Sequence, residues 1–138
     1  MREIKFRAWQ PQASYHRQPG MYLVDDMVWH KVTDEQPEKG EVFLTTEIGT
    51  SRSSEFFEDV KIMQYTGLKD KNGVEIYEGD VVQDSPDNIV VYTRVVEYSN
   101  HGFALSKLAS FLQHEVDWSR IEVIGNIYEN PDLLEAKQ

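Results

Sequence analysis

Hydrophobic and polar positions alternate along much of this chain with a period of two, the pattern of strands with one buried face. In residues 2–9, Ile4, Phe6 and Ala8 fall on one side, and Glu3, Lys5, Arg7 and Trp9 on the other. Residues 10–20, with Pro11, Pro19 and Gly20, read as a loop. Residues 21–24 and 27–32 are short strands around Asp25-Asp26, which together predict a hairpin. Residues 33–40 form a polar loop, 41–46 (EVFLTT) a strand, and 48–58 an irregular stretch anchored by Phe56-Phe57.

The densest local signal is residues 63–83, MQYTGLKDKNGVEIYEGDVVQ. It contains two strands, two turns and the entry to a third strand. Asn72-Gly73 tolerates positive φ and marks a tight reverse turn. Val74 and Ile76 alternate with Glu75 and Tyr77, and Glu78-Gly79-Asp80 is a second turn before Val81-Val82. Gly67, Gly73 and Gly79 punctuate the stretch, and Asp80 is expected to bond nearby backbone N–H groups. Turns this close together leave no room for a helix.

Beyond it, residues 85–88 are a turn and 89–98 (IVVYTRVVEY) a long β-branched and aromatic strand. Residues 99–102 turn again, and 103–105 return. Residues 106–118 suit either a helical turn or a covering loop. Residues 121–128 alternate once more, and Gly125 within them predicts a bulge or a close backbone approach. Asn130-Pro131 is an N-cap with proline at the first helical position, opening a short helical turn. The fold expected is therefore mainly β. A small SH3-like antiparallel barrel spans about residues 60–128, residues 1–59 add an N-terminal sheet or arm that shares its core, and there is little helix.

Length and composition narrow the function rather than the fold. One domain of 138 residues carries a net charge of −10, with +3 in the first twenty residues and −8 across residues 21–80. That balance disfavours binding to phosphate backbones, which needs clustered Lys and Arg, although the basic N-terminus and acidic middle keep weak nucleic-acid binding or DNA mimicry as the alternative reading. There is no cysteine, so disulfides and thiolate metal sites are excluded. The first residues, MREIKFRAW, lack the apolar run of a signal peptide, and no stretch approaches the length of a membrane span.

Catalytic chemistry is not visible. His16, His30, His101 and His114 lack zinc-ligand spacing. Glu75, Glu78 and Asp80 read as turn and strand residues before they read as an acid–base or Mg²⁺ set, and Asp34, Glu35 and Glu38 lack calcium-loop spacing. Ser51, Ser53 and Ser54 stand in no nucleophile motif. No catalytic residue, metal ligand or cofactor is assigned, and an enzyme assembled from distant residues is the third reading. Most aromatics read as core. Trp9 and Tyr77 lie opposite their aliphatic neighbours by strand parity, so they are expected as exposed anchors for a protein partner or a second copy, together with the turn Lys69, Asp70, Lys71 and Asn72.

Three segments resemble the YopX family of phage and prophage proteins: REIKFRAW (2–9), QYTGLKDKNGVEIYEGDVV (64–82) and VIGNIYENPDLL (123–134). Their order and spacing match as well; residues 10–59 carry none of the likeness. The resemblance implies a phage or prophage protein of the bacterial cytoplasm, with a mainly β, SH3-like fold and no assigned catalytic activity. The function expected is that of a non-catalytic accessory protein that works through protein contacts and self-association.

Overall fold

In the computed structural model, residues 3–14, 18–30, 39–45, 52–56, 59–85, 88–99, 102–106 and 116–135 are described. The alternating segments become ten antiparallel strands in two units, Lys5–Gln64 and Tyr65–Gln138 with Met1–Ile4. The mainly β expectation holds.

In the first unit, β1 (Phe6–Gln10) pairs with β2 (Gly20–His30), β2 with β3 (Lys39–Thr45), and β3 with β4 (Arg52–Phe56). The other edge of β1 takes the first half of β5 (Lys61–Lys69). Ala8, Val42, Leu44 and Val60 form its buried cluster, flanked by Tyr22, Val24, Met27 and Ile62. Ile4 precedes β1 and is 71% exposed, so the expected Ile4–Phe6–Ala8 face begins only within the strand.

Two expectations fail here, both through pairing with β3. The hairpin at Asp25-Asp26 is absent, because β2 runs straight through it. A two-residue hairpin needs positive φ at its centre, and among the described residues Asn88 is the non-glycine that adopts it. The extra residue is absorbed as a bulge between Val24↔Leu44 and Asp26↔Phe43, with the Asp26 carboxylate accepting the Met27 N–H at 2.8 Å. The stretch expected to be irregular instead yields β4, whose polar RSSEF sequence suits an outer strand because β3 supplies the apolar residues. Phe56, the expected anchor, is 40% exposed.

In the second unit, the latter half of β5 pairs with β6 (Glu75–Tyr77). A four-stranded sheet follows in the order β10-β7-β8-β9, built from β7 (Asp80–Asp84), β8 (Tyr92–Ser99), β9 (Gly102–Leu105) and β10 (Glu122–Asn126). Ile76, Val82, Val96, Leu105 and Ile121 form a second buried cluster. Each unit has a buried cluster of its own.

The expected closed barrel is not formed by the described strands, since the four-stranded sheet has β9 and β10 as its edges. What reaches from the β5–β6 turn towards β10 is not a strand ladder: among the described residues it is the backbone bond from Lys71 N to Ile121 O at 3.0 Å, just ahead of the strand, the Asp70 side chain and the Lys71–Glu122 ion pair. Strand β8 also starts later than expected, leaving residues 89–91 outside it.

Gly125 sits at the expected bulge, where the β10–β7 register shifts between Val123 and Gly125. The strand ends before the expected 128 because Asn126, only 7% exposed, turns the chain. Its Oδ1 accepts the N–H groups of Tyr128 and Glu129, at 3.1 and 2.8 Å. Asn130 does not cap with its side chain as expected. Its Oδ1 reaches back to the Asn126 N–H, while its backbone oxygen accepts Leu133 N at the entry to α1 (Asp132–Glu135). Pro131 stands one residue before α1 and its oxygen accepts Leu134 N. Of the ambiguous stretch, 107–115 lies outside the described residues, and Trp118–Arg120 is a 3-10 turn capped by Asp117.

Candidate interaction surfaces

The turn between β5 and β6 is held by a carboxylate rather than left as a mobile tip. Asp70, expected on an exposed tip, is 5% exposed. Its Oδ1 accepts the N–H groups of Asn72 and Val74, at 2.8 and 2.9 Å, and its Oδ2 accepts that of Val123 at 2.9 Å. Burial pushes this carboxyl up, but the N–H groups of Val123, Val74 and Asn72, with the charge of Lys71, together hold it below the ordinary aspartate value. Gly73, at φ +82°, supplies the left-handed step that brings Val74 within reach.

The neighbouring side chains divide accordingly. Lys69, Lys71 and Asn72 are exposed. Lys71 Nζ lies 3.2 Å from Glu122 Oε2, with both side chains well solvated. Such a pair contributes little, so Lys71→Ala is expected to change unfolding stability by less than about 0.5 kcal/mol, as read by urea denaturation. A loss several times larger would mean that the pair, rather than Asp70, fastens the turn.

Tyr77 is corrected outright: it is 5% exposed, with its ring 5.4 Å from that of Tyr65. Strand parity fails there because β6 is covered on both faces, Ile76 being fully buried as well. It is Val74, on the face expected to be apolar and buried, that is 47% exposed. Trp9 is half-buried in β1, paired with Met21 and Lys61. Asp80 performs its expected local role, its Oδ2 accepting the Tyr77 N–H at 2.7 Å. Gly67 and Gly79 take positive φ at the β5 irregularity and the β6–β7 turn.

One exposed apolar stretch among the described residues is a feature that strand reading missed. Ile89, Val90 and Val91 are 83%, 44% and 57% exposed, and Tyr92 and Tyr98 on β8 are 41% and 59% exposed. Tyr98 packs edge-on against Phe103 at 5.0 Å, and the Arg94 guanidinium lies 4.9 Å over the Tyr92 ring. The signal was in the pattern. A continuous apolar run such as Ile89-Val90-Val91 needs cover on both faces, and the first polar positions come only after Tyr92.

Nearby, Asp84 and Arg120 form an inner ion pair, with Arg120 Nε 2.9 Å from Asp84 Oδ1; this bond raises the guanidinium pKa further. Among the described residues, no group of three or more His, Asp or Glu side chains is placed to hold a metal ion. His16, His101, His114, Asp34, Glu35, Glu38 and Ser51 lie outside the described residues, as do the side chains of His30, Ser53 and Ser54. No described helix is long and apolar enough to cross a membrane.

With this geometry in place, the comparisons are specific. The family model described as YopX protein matches residues 5–135. Among solved structures, protein EF1440 from Enterococcus faecalis is similar at 28% identity with a TM-score of 0.59, over 97% of this chain and 99% of that one. Protein yopX from Bacillus subtilis is similar in fold at 20% identity with a TM-score of 0.53, over 94% of this chain and 96% of that one. No curated protein matches the chain.

Proposed function

Because the chain belongs to the YopX family, we propose that it is a non-catalytic phage or prophage accessory protein of the bacterial cytoplasm that acts by protein contact, self-association included. The observation that carries this reading is the exposed apolar segment Ile89, Val90, Val91 and Tyr92, with Tyr98 further along β8. Contiguous apolar surface of this kind marks contact sites on soluble proteins, and tyrosines are favoured anchors within them. The unit that bears it, with consecutive short antiparallel strands and an SH3-like succession, acts as a rigid mount. Lys69, Lys71 and Asn72 add a polar contact surface on the same unit, and Trp9 a contact on the other. Asp70 and Tyr77 shape the unit from within.

The test is the solution mass by light scattering across a concentration series, for the wild-type protein and for Ile89→Asp with Val91→Asp. Both side chains are already solvated, so the paired substitution is expected to leave folding intact. The wild-type mass is expected to rise towards a dimer, and the variant to stay monomeric. A wild-type protein that remains monomeric up to roughly millimolar concentration, or a variant that associates equally well, overturns the assignment to this surface.

A further inference from the structure

The β5–β6 turn carries a chemically labile pair at its tip. Asn72 is followed directly by Gly73, and both are exposed. The side-chain carbonyl carbon of an asparagine can be attacked by the backbone nitrogen of the next residue, and glycine hinders that attack least because it has no Cβ. A Cβ built on Gly73 meets nothing within 4 Å, so water and base reach this backbone. Asn72 bonds through its backbone N–H, to Asp70 Oδ1 at 2.8 Å, and among the described residues its side-chain amide has no hydrogen-bond partner to hold it back.

The backbone around the pair works in the opposite sense. Gly73 N donates to Asp70 O at 3.0 Å and Asp70 N to Val74 O at 2.8 Å, which closes the turn. For Gly73 N to face the Asn72 side-chain carbon, the chain must rotate about the Asn72 Cα–C bond, and that rotation carries the Gly73 N–H away from Asp70 O. The attacking nitrogen must also lose its proton, which the bond to Asp70 O disfavours. The Asp70 carboxylate holds the same turn through Asn72 N and Val74 N, and its other oxygen anchors it to Val123 N at 2.9 Å.

We propose that Asn72 is a site of intramolecular deamidation whose rate is set by the Asp70 latch. When the turn opens, Gly73 N gives its proton to water or hydroxide and forms a bond to the Asn72 side-chain carbon. The bond from that carbon to its amide nitrogen breaks, and the nitrogen leaves as ammonia. Water then opens the cyclic imide at either carbonyl, leaving aspartate or isoaspartate. The step consumes water alone and needs no oxidant or cofactor. Isoaspartate lengthens the main chain by a methylene and places a new carboxylate beside the buried Asp70 charge, so the N–H groups of the turn no longer fit around Asp70. A transient opening thereby becomes permanent, and the polar surface shared with Lys69 and Lys71 gains a negative charge.

The test is peptide mapping by mass spectrometry on the full chain incubated at mildly alkaline pH, with aspartate and isoaspartate at position 72 followed over time. The folded wild-type protein is expected to react about tenfold or more slowly than the same chain unfolded in guanidinium chloride, and Asp70→Ala about tenfold faster than folded wild type. Asp70→Ala also lowers stability as a whole, so it is compared with Val96→Ala, which leaves a cavity in the core of the same unit and removes no bond of the turn. At denaturant concentrations that give both variants the same fraction unfolded, the Asp70 variant is expected to react several-fold faster. Asp70→Asn keeps the bonds to Asn72 and Val74 and loses the one to Val123, so its rate is expected between those of wild type and Asp70→Ala, and it takes the place of Asp70→Ala if that variant does not fold. A folded wild type that reacts as fast as the unfolded chain, an unfolded chain that stays intact at Asn72, or an Asp70 variant no faster than the matched Val96→Ala overturns the proposal.

Discussion

Asp70→Ala is expected to lower the unfolding free energy by about 3–4 kcal/mol. The carboxylate accepts three backbone N–H bonds while almost wholly buried. Removing it strands those donors, and stranded buried donors outweigh the modest net value of the bonds themselves. Asp70→Asn is the sharper variant. Oδ1 still serves Asn72 and Val74, but an amide nitrogen then faces the Val123 N–H, donor against donor, so about 2 kcal/mol of the loss is expected to persist. The pH dependence separates charge from shape. The folded-state pKa of Asp70 lies below its ordinary value of 3.8. The group therefore contributes stability that is complete above that value and is lost as pH falls through the lower folded one. Urea unfolding between pH 2 and 7 is expected to show this acid loss in the wild-type protein and a shallower one in Asp70→Asn. A variant of unchanged stability at pH 7 would remove Asp70 from its place as the fastening of the turn.

The second large effect is expected at Gly125. A Cβ built there meets Asn130 Oδ1 at 2.5 Å, Asn130 Cγ at 2.8 Å and Leu133 Cδ1 at 2.9 Å. Gly125→Ala is therefore expected to be destabilising by about 2–3 kcal/mol through overpacking and through displacement of the Asn130 Oδ1 that meets the Asn126 N–H. Gly73 makes the contrast, since it has open space but a left-handed φ. At Gly125 the constraint is crowding, so relief is possible from the other side. Combined with Asn130→Gly, Gly125→Ala is expected to lose about 1 kcal/mol less than the two single changes summed. Strict additivity would place the source of the loss elsewhere.

The sequence made the glycine-marked turns legible because they depend on local conformational preferences. Asn72-Gly73 and Gly79-Asp80 stand where such preferences place them, and Gly125 marks its bulge through the close approach of Asn130 and Leu133. It made the inner faces only partly legible. Ile76 is buried as read, yet Tyr77 beside it is buried too, because cover on a second face comes from chain distant in sequence. The Asp25-Asp26 hairpin failed for a related reason. The same polar pair suits a turn or a bulge, and pairing with β3 decides between them. Of the candidate contacts, the exposed Lys69, Lys71 and Asn72 were readable from local polarity. The burial of Asp70 was not, since one of its three donors lies 53 residues away. The Ile89–Val91 run was misread because β-branched composition says only that residues fit a pleated surface, not that anything covers them.

That 53-residue separation has a bearing on how the molecule comes into being. A nascent chain leaving the ribosome shapes the β5–β6 turn early, since Asn72 and Val74 supply two donors from within it. The third donor belongs to β10, and closing so long a loop is slow compared with forming a hairpin. Until Val123 has been synthesised and docked, the turn is shaped but unlatched, so the passage from hairpin to finished unit waits on a strand made 53 residues later.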